Sequence, residues 1–368
     1  MGAASGGYLA DTLGWRWEFG IQVPVGLFCI IVMTVAIPTH STSANPTFSL
    51  WSRFRDFDFA GSFFLSTSVA ALILGMNLGG NVFPWTHPIV LGALAMAFIL
   101  ALILIRTERR AISPVMPLQL LTSTPRGNLI FAGVLANITI NSILFNLPLY
   151  FQAVMLESAT SAGSRLLWPS VAGTFASVST GLIITATGRV DHTLYFGFIT
   201  LVAGSIALCF IQRDFPSYAI FLLLLPCNLG LGFAFPSSLM TVLVTSSHAD
   251  QAVATSTLIM WRTLGSVLGV ASSSLIVQNC LVYFLNRNVT GDMKMEIIAA
   301  VRNRVTAIFE LDAARQLEVI ASYELSLKCA FLFAALASSG ALLLTVGLRL
   351  PTLEGKRVGK EEVLVGAE

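Results

Sequence analysis

Charged residues are scarce in this chain. Only 11% of its 368 residues are Asp, Glu, Lys or Arg, whereas an ordinary soluble domain carries about 25%, so water is not the solvent for most of it. The net charge of +2 is too small to fit a nucleic-acid partner, which asks for a basic stripe; the basic residues here sit at the ends of apolar runs. Histidine is sparse too, and His40, His87, His192 and His248 are too far apart for a zinc-ligand pattern. The five cysteines, Cys29, Cys209, Cys227, Cys280 and Cys329, include no C-x-x-C pair and read as small apolar residues rather than a disulfide framework. P-loop, G-x-S-x-G and H-E-x-x-H motifs are missing, so the chain does not read as an enzyme and no cofactor is expected. Met1 is followed by Gly2-Ala3-Ala4-Ser5-Gly6-Gly7, without the basic start and apolar middle of a secretory signal. The chain reads as beginning within a structure.

Apolar residues fill the space that charge leaves, at 55% of the chain. They gather in runs of about 18–25 residues, the length that crosses roughly 30 Å of hydrocarbon. Such runs fall near 19–38, 59–78, 88–105, 129–153, 166–187, 194–212, 218–245, 252–285 and 329–348, which predicts an all-α integral membrane protein of about nine transmembrane helices. The 252–285 run is longer than one crossing needs and is expected to tilt or to continue past the membrane surface. Arg53 and Arg55, then Arg106, Arg109, Arg110 and Arg126, then Arg189, fall on one side with the tail residues Lys356, Arg357 and Lys360. That side is cytosolic by the positive-inside rule. A long loop at about 286–326 falls opposite; Met295, Ile298, Val301, Val305 and Ile308 recur within it at helical spacing, as in an amphipathic surface helix.

Several motifs resemble one family of transporters. Gly6-Gly7-Tyr8-Leu9-Ala10-Asp11 leads into Gly14-Trp15-Arg16-Trp17-Glu18-Phe19 and Pro24-Val25-Gly26; Asp58-Phe59-Ala60-Gly61 precedes Leu78-Gly79-Gly80-Asn81 and Pro84-Trp85; Pro114-Val115-Met116-Pro117-Leu118 follows. Most specific are Asn146-Leu147-Pro148-Leu149-Tyr150-Phe151-Gln152, then Ala162-Gly163-Ser164-Arg165-Leu166-Leu167-Trp168-Pro169, then Thr187-Gly188-Arg189. In this order they are similar to the 14-spanning drug:proton antiporter branch of the major facilitator superfamily, and more closely to its fungal members that include vacuolar basic amino acid permeases. Gln22 stands where that family usually has Asn. The resemblance implies a facilitator fold lacking roughly the first four to five helices, with the family's proton-coupling motifs outside this chain. It divides the chain into 1–56, holding the end of helix five, helix six and a cytosolic linker; 57–106, two central spans; 107–350, a C-terminal helical bundle with the long luminal or exterior loop; and 351–368, a cytosolic tail.

Polar groups inside a span are expensive and mark candidate substrate paths. Arg262 is foremost: counted from Ala252 it lies about 15 Å deep, and no Asp or Glu of the chain is expected at that level. Its plain alternative is an arginine that snorkels or holds carbonyls between helices. Asn137 and Asn141 share a helix face, with Asn146 on nearly the opposite side; they line a cavity or serve as hydrogen-bonding glue. Asn228, between Pro226 and Gly230, sits where a kink would expose carbonyls, though such kinks also occur in ordinary spans. Arg165 is expected to snorkel or to pair with Glu157, and Gly265-x-x-x-Gly269 allows close helix approach.

The resemblance implies a proton-coupled secondary transporter that moves amino acids, basic ones first, across the vacuolar membrane. The alternatives are multidrug efflux across the plasma membrane, or a non-transporting paralogue acting as a membrane partner or receptor. Small-molecule substrate, protons and the lipid bilayer are the expected partners, for a monomer. The orientation is directly testable: an epitope tag placed at about 286–326 should be shielded from protease in sealed vesicles whose cytosolic face is outward, while a C-terminal tag is cut. A cut tag at 286–326 would reverse the topology.

Overall fold

The computed structural model describes residues 15–36, 58–79, 82–110, 118–247, 250–290, 294–348 and 350. The motifs within residues 1–14, Arg53 and Arg55 in 37–57, Gly80 and Asn81, the stretch 111–117, and Lys356, Arg357 and Lys360 lie outside them.

Nine long helices appear among the described residues. They are α1 (Trp15–Ala36), α2 (Phe59–Leu78), α3 (Pro88–Glu108), α5 (Arg126–Ala153), α7 (Leu167–Thr187), α8 (Asp191–Leu208), α9 (Ser217–Thr245), α10 (Gln251–Asn288) and α12 (Ala313–Thr345). Shorter helices α4 (Leu118–Thr122), α6 (Ala159–Arg165) and α11 (Lys294–Asn303) lie between them, with a 3-10 turn at Val305–Glu310. Eight are long and apolar enough to cross a membrane, and the apolar part of α1, Gly20–Ala36, is shorter. The ends are written locally. Asp58 caps α2 by accepting from the Gly61 amide at 2.7 Å, and α7 stops at Gly188, whose φ of 65° is left-handed, a conformation that suits glycine.

The helices α5, α7, α8, α9, α10 and α12 form one bundle, with α2 and α3 paired beside it and α2 touching α10. At its centre is α5, packed against both α10 and α12 and buried on most of its circumference. Lipid tails are as apolar as Leu, so burial alone does not hold such helices together; close packing and interhelical hydrogen bonds do. Both are present. Thr139 Oγ1 donates to the Ala334 carbonyl at 3.1 Å and Asn128 Nδ2 to that of Leu344 at 3.1 Å, tying α5 to α12. Ser205 and Ser338 share a 2.7 Å hydrogen bond between α8 and α12, and Ser237 donates to Thr193 at 2.8 Å between α9 and α8. On the α5–α10 seam the expected small-residue motif works through the backbone: a Cβ at Gly265 would lie 2.6 Å from the Val134 carbonyl oxygen, and one at Gly269 2.7 Å from that of Ile138.

The last span differs from the sequence reading. The apolar run begins at 329, but the helix begins at Ala313 and runs for 33 residues to Thr345, about 50 Å. Glu318, Glu324 and Lys328 interrupt the hydropathy without interrupting the helix, whose length exceeds the roughly 30 Å of hydrocarbon. The region 286–326 is therefore largely helical. It holds the end of α10, then α11, the 3-10 turn and the start of α12. The amphipathic segment packs on the protein: Ile297, Ile298, Val301 and Ile308 are buried, and Tyr323 Oη donates to the Val301 carbonyl at 3.0 Å. Met295, expected on the same face, is exposed instead. Long α10, at 38 residues, fulfils the expectation for 252–285.

Because a Cβ at Gly269 would meet backbone, which cannot swing aside, Gly269→Val should cost about 1–3 kcal/mol or more. The expected readout is a lower thermal unfolding midpoint in detergent. Gly92→Ala, where an added Cβ meets nothing within 4 Å, should leave that midpoint in place.

Candidate functional site

Arg262 lies about 16 Å along α10 from Gln251, a rise close to half the thickness of a bilayer core. Its side chain reaches between α5 and α9. Nη2 donates to the Phe235 carbonyl at 3.2 Å, and the guanidinium carbon stands 4.4 Å from the centroid of the Phe235 ring, a cation–π geometry. On the α5 side lies Gly133, where a Cβ would come within 3.2 Å of Nε and 3.4 Å of Cγ. Nε is buried and has no hydrogen-bond partner. Among the described residues no ion pair of Arg262 is found, whereas Arg165 pairs with Glu157, Arg304 with Glu310 and Lys328 with Glu324.

A ladder of neutral polar groups continues from it. One turn along α10, Ser266 Oγ donates to Asn137 Oδ1 of α5 at 3.3 Å. Asn137 Nδ2 donates to the Gly133 carbonyl at 2.9 Å, and Asn141 Nδ2 to the Asn137 carbonyl at 2.9 Å. Asn141 and Ser266 border a cavity of about 420 Å³ among α2, α5 and α10, where Asn77 and Ser274 add polar groups and Phe145 and Val267 apolar ones. Arg262, Asn137 and Asn141 thus lie along one seam between α5 and α10, Arg262 about two turns from Asn141; of the three, Asn141 borders the cavity. Asn137 is buried and Asn141 partly exposed to the cavity.

Asn228 stands elsewhere. It is on the α7–α9 seam, with Nδ2 donating to the Leu224 carbonyl at 3.2 Å and its backbone against Gly173. Helix α9 runs unbroken through Pro226 and Pro236. The carbonyl deprived of its amide by Pro236 is that of Gly232, and Thr180 Oγ1 of α7 fills it at 3.1 Å. Arg165 does pair with Glu157 as a fork, Nε to Oε2 at 2.8 Å and Nη2 to Oε1 at 2.5 Å, and so belongs to the outer rim. Sequence reasoning missed Gly133, Phe235, Ser266 and Asn77. Two of these had a signal in helical spacing: Ser266 is four residues after Arg262, and Gly133 four before Asn137. Asn77 and Phe235 come from other helices, and only packing brings them in.

An unfilled guanidinium N–H in apolar surroundings is a receptor for a carboxylate or similar anion, and amides and hydroxyls beside it offer neutral hydrogen bonds. Membrane-length helices around such a mid-depth site define a membrane transport protein. Over 356 residues the chain is 32% identical to the vacuolar basic amino acid transporter 2 of Saccharomyces cerevisiae, covering 94% of this chain and 75% of that one. It is 27% identical to the multidrug resistance protein fnx1 of Schizosaccharomyces pombe, over 91% of this chain and 64% of the relative. With the vacuolar membrane amino acid uptake transporter fnx2 of the same yeast the identity is 29%, over 90% and 57%. More distant relatives are named MFS-type transporters. No protein-family model matches the sequence. The chain belongs to the major facilitator superfamily of membrane transporters, and it spans three quarters of the first of these relatives and less than two thirds of the other two.

The contact between Gly133 and Arg262 can be measured as a coupling. Gly133→Ala should push the guanidinium off its seat and lower stability by about 1–3 kcal/mol. In an Arg262→Ala background the same change should cost almost nothing. Additive losses in the double-mutant cycle would mean that the two side chains do not meet.

Proposed function

We propose that this chain carries the anion-binding part of a proton-coupled secondary transporter that moves amino acids, basic ones first, across the vacuolar membrane. The observation that carries the reading is Arg262, whose Nε is buried without a hydrogen-bond partner, at the depth where secondary transporters bind substrate. In this reading the guanidinium takes the α-carboxylate that every amino acid shares, and Asn137 and Asn141 supply hydrogen bonds to its polar groups. Asn228 enters only as an outlying group on the α7–α9 seam. The names of two relatives support the substrate class and the membrane. The proposed organisation keeps the cytosolic linker within 1–56, two central spans in 57–106, the bundle in 107–350 and a cytosolic tail at 351–368, with the protein acting as a monomer.

A second reading, efflux of apolar toxins, is favoured by one observation. The 420 Å³ cavity is walled largely by apolar side chains such as Ile73, Phe145 and Val270, and one relative is named for multidrug resistance. The two readings separate in vesicles. Vacuolar membrane vesicles from cells with the gene intact should take up labelled arginine, lysine or histidine when a proton gradient is imposed, and vesicles from deleted cells should do so less. Equal uptake, together with heightened drug sensitivity of the deleted cells, would favour efflux.

Arg262→Lys should be impaired as well as Arg262→Ala, because an ammonium cannot copy the planar fork. Loss of a charge-assisted hydrogen bond of about 1.5–3 kcal/mol corresponds to about a ten- to hundredfold rise in the substrate concentration needed for half-maximal uptake. Well-expressed Arg262→Ala protein with the parent's uptake curve would remove Arg262 from the site.

A further inference from the structure

Two of the five cysteines stand on the same helix seam. Asn288 at the end of α10 donates from Nδ2 to Ser322 Oγ of α12 at 3.1 Å, which sets the antiparallel register of these helices. About two turns back along α10 is Cys280, and about two turns forward along α12 is Cys329, each roughly 11–12 Å from that hydrogen bond. They therefore lie at one level on two helices that pack against each other. Both are partly exposed and neither is in a disulfide, while the adjacent Leu281 and Ala330 are buried. Lys328, next to Cys329, pairs with Glu324 at 2.7 Å, and both side chains are about a quarter exposed. By the orientation read from the basic loops, this end of the bundle faces the lumen or exterior, the kind of compartment in which disulfides persist. The other cysteines are placed differently. Cys227 is fully buried, which bars reagents from it, and Cys29 is exposed on α1.

We propose that Cys280 and Cys329 are an oxidisable pair that closes to an intramolecular disulfide, stapling α10 to α12 at their non-cytosolic ends. The oxidant is a low-molecular-weight disulfide of the glutathione type. One cysteine, as thiolate, attacks a sulfur of that molecule; its S–S bond breaks, a mixed disulfide with the protein forms, and one small thiolate leaves. The second cysteine's thiolate then attacks the protein sulfur of the mixed disulfide, forming the Cys280–Cys329 bond and releasing the second small thiolate. Two protein thiols are oxidised, one small disulfide is reduced to two thiols, and the two protons end on the released thiolates. Because α10 also bears Arg262, the staple restrains the helix that holds the guanidinium. The cross-link itself is independent of which substrate is carried.

The full chain, purified in detergent, is incubated with oxidised glutathione, alkylated with a maleimide, digested and analysed by mass spectrometry. The expected result is a linked peptide pair containing Cys280 and Cys329, with loss of both their maleimide adducts. It should disappear with dithiothreitol and in Cys280→Ser and Cys329→Ser, each checked for an unchanged thermal midpoint; Cys280→Ala and Cys329→Ala serve if the serine variants unfold. Separate glutathione or maleimide adducts on the two residues of the parent protein would overturn the proposal, as would linkage of either to another cysteine. So would two unreacted thiols in a sample whose Cys29 is fully modified.

Discussion

Backbone-to-backbone contact between α5 and α10 is the constraint on which the rest of the site rests. In lipid a larger side chain gains nothing by touching another helix instead of an acyl chain, so helices that must hold a fixed register do so where side chains are missing. Gly265 and Gly269 supply that absence: each faces a carbonyl of α5 at a distance that admits no Cβ. Ser142 then reaches across to donate to the Gly269 carbonyl at 3.1 Å. With the two helices locked at this level, Arg262 falls opposite Gly133, and Ser266 falls opposite Asn137. A slip of one residue along α10 would turn the guanidinium by about 100°, away from α5.

The same lock explains how an arginine is tolerated at mid-depth. A guanidinium in a low-dielectric interior needs partners for its donors. Phe235 offers two kinds, a carbonyl to Nη2 and a ring face to the cation. Gly133 leaves room for the chain of the side chain to lie flat on α5. What is left over is Nε, and beside it the asparagine ladder leads toward the cavity under α2. Asn137 and Asn141 each give an amide N–H to a carbonyl of α5, and the side-chain oxygen of Asn137 accepts from Ser266. Charge therefore sits at one place in the site, and the remainder is neutral.

Much of the outer end of the bundle is organised by ion pairs and side-chain hydrogen bonds instead. Glu324 and Lys328 pair within one helix, Arg165 and Glu157 bridge the end of α5 to α6, and the segment α11 packs its apolar side on the protein while Met295 turns away. Asn288, which opens an Asn-x-Thr acceptor sequence, already uses its amide on Ser322, and Thr290 uses its hydroxyl on Glu318. These contacts make the region 286–326 a folded cap rather than a free loop.

Helix number and most helix limits were legible in the sequence. Each depends on the length of an apolar run measured against the thickness of hydrocarbon, a property that about twenty consecutive residues settle among themselves. The reading went astray at α12, because Glu318, Glu324 and Lys328 end the hydropathy of a segment while its backbone hydrogen bonds continue. The close approach at Gly265 and Gly269 was also legible, since four-residue spacing puts both on one face. Which groups meet Arg262 was not. Phe235 and Gly133 come from two other helices, and the level that Cys280 and Cys329 share depends on the register of α10 against α12. Hydropathy is blind to rotation about a helix axis and to sliding along it, whereas both are set by which small residues allow two particular helices to touch; that selection exists only once the helices are packed.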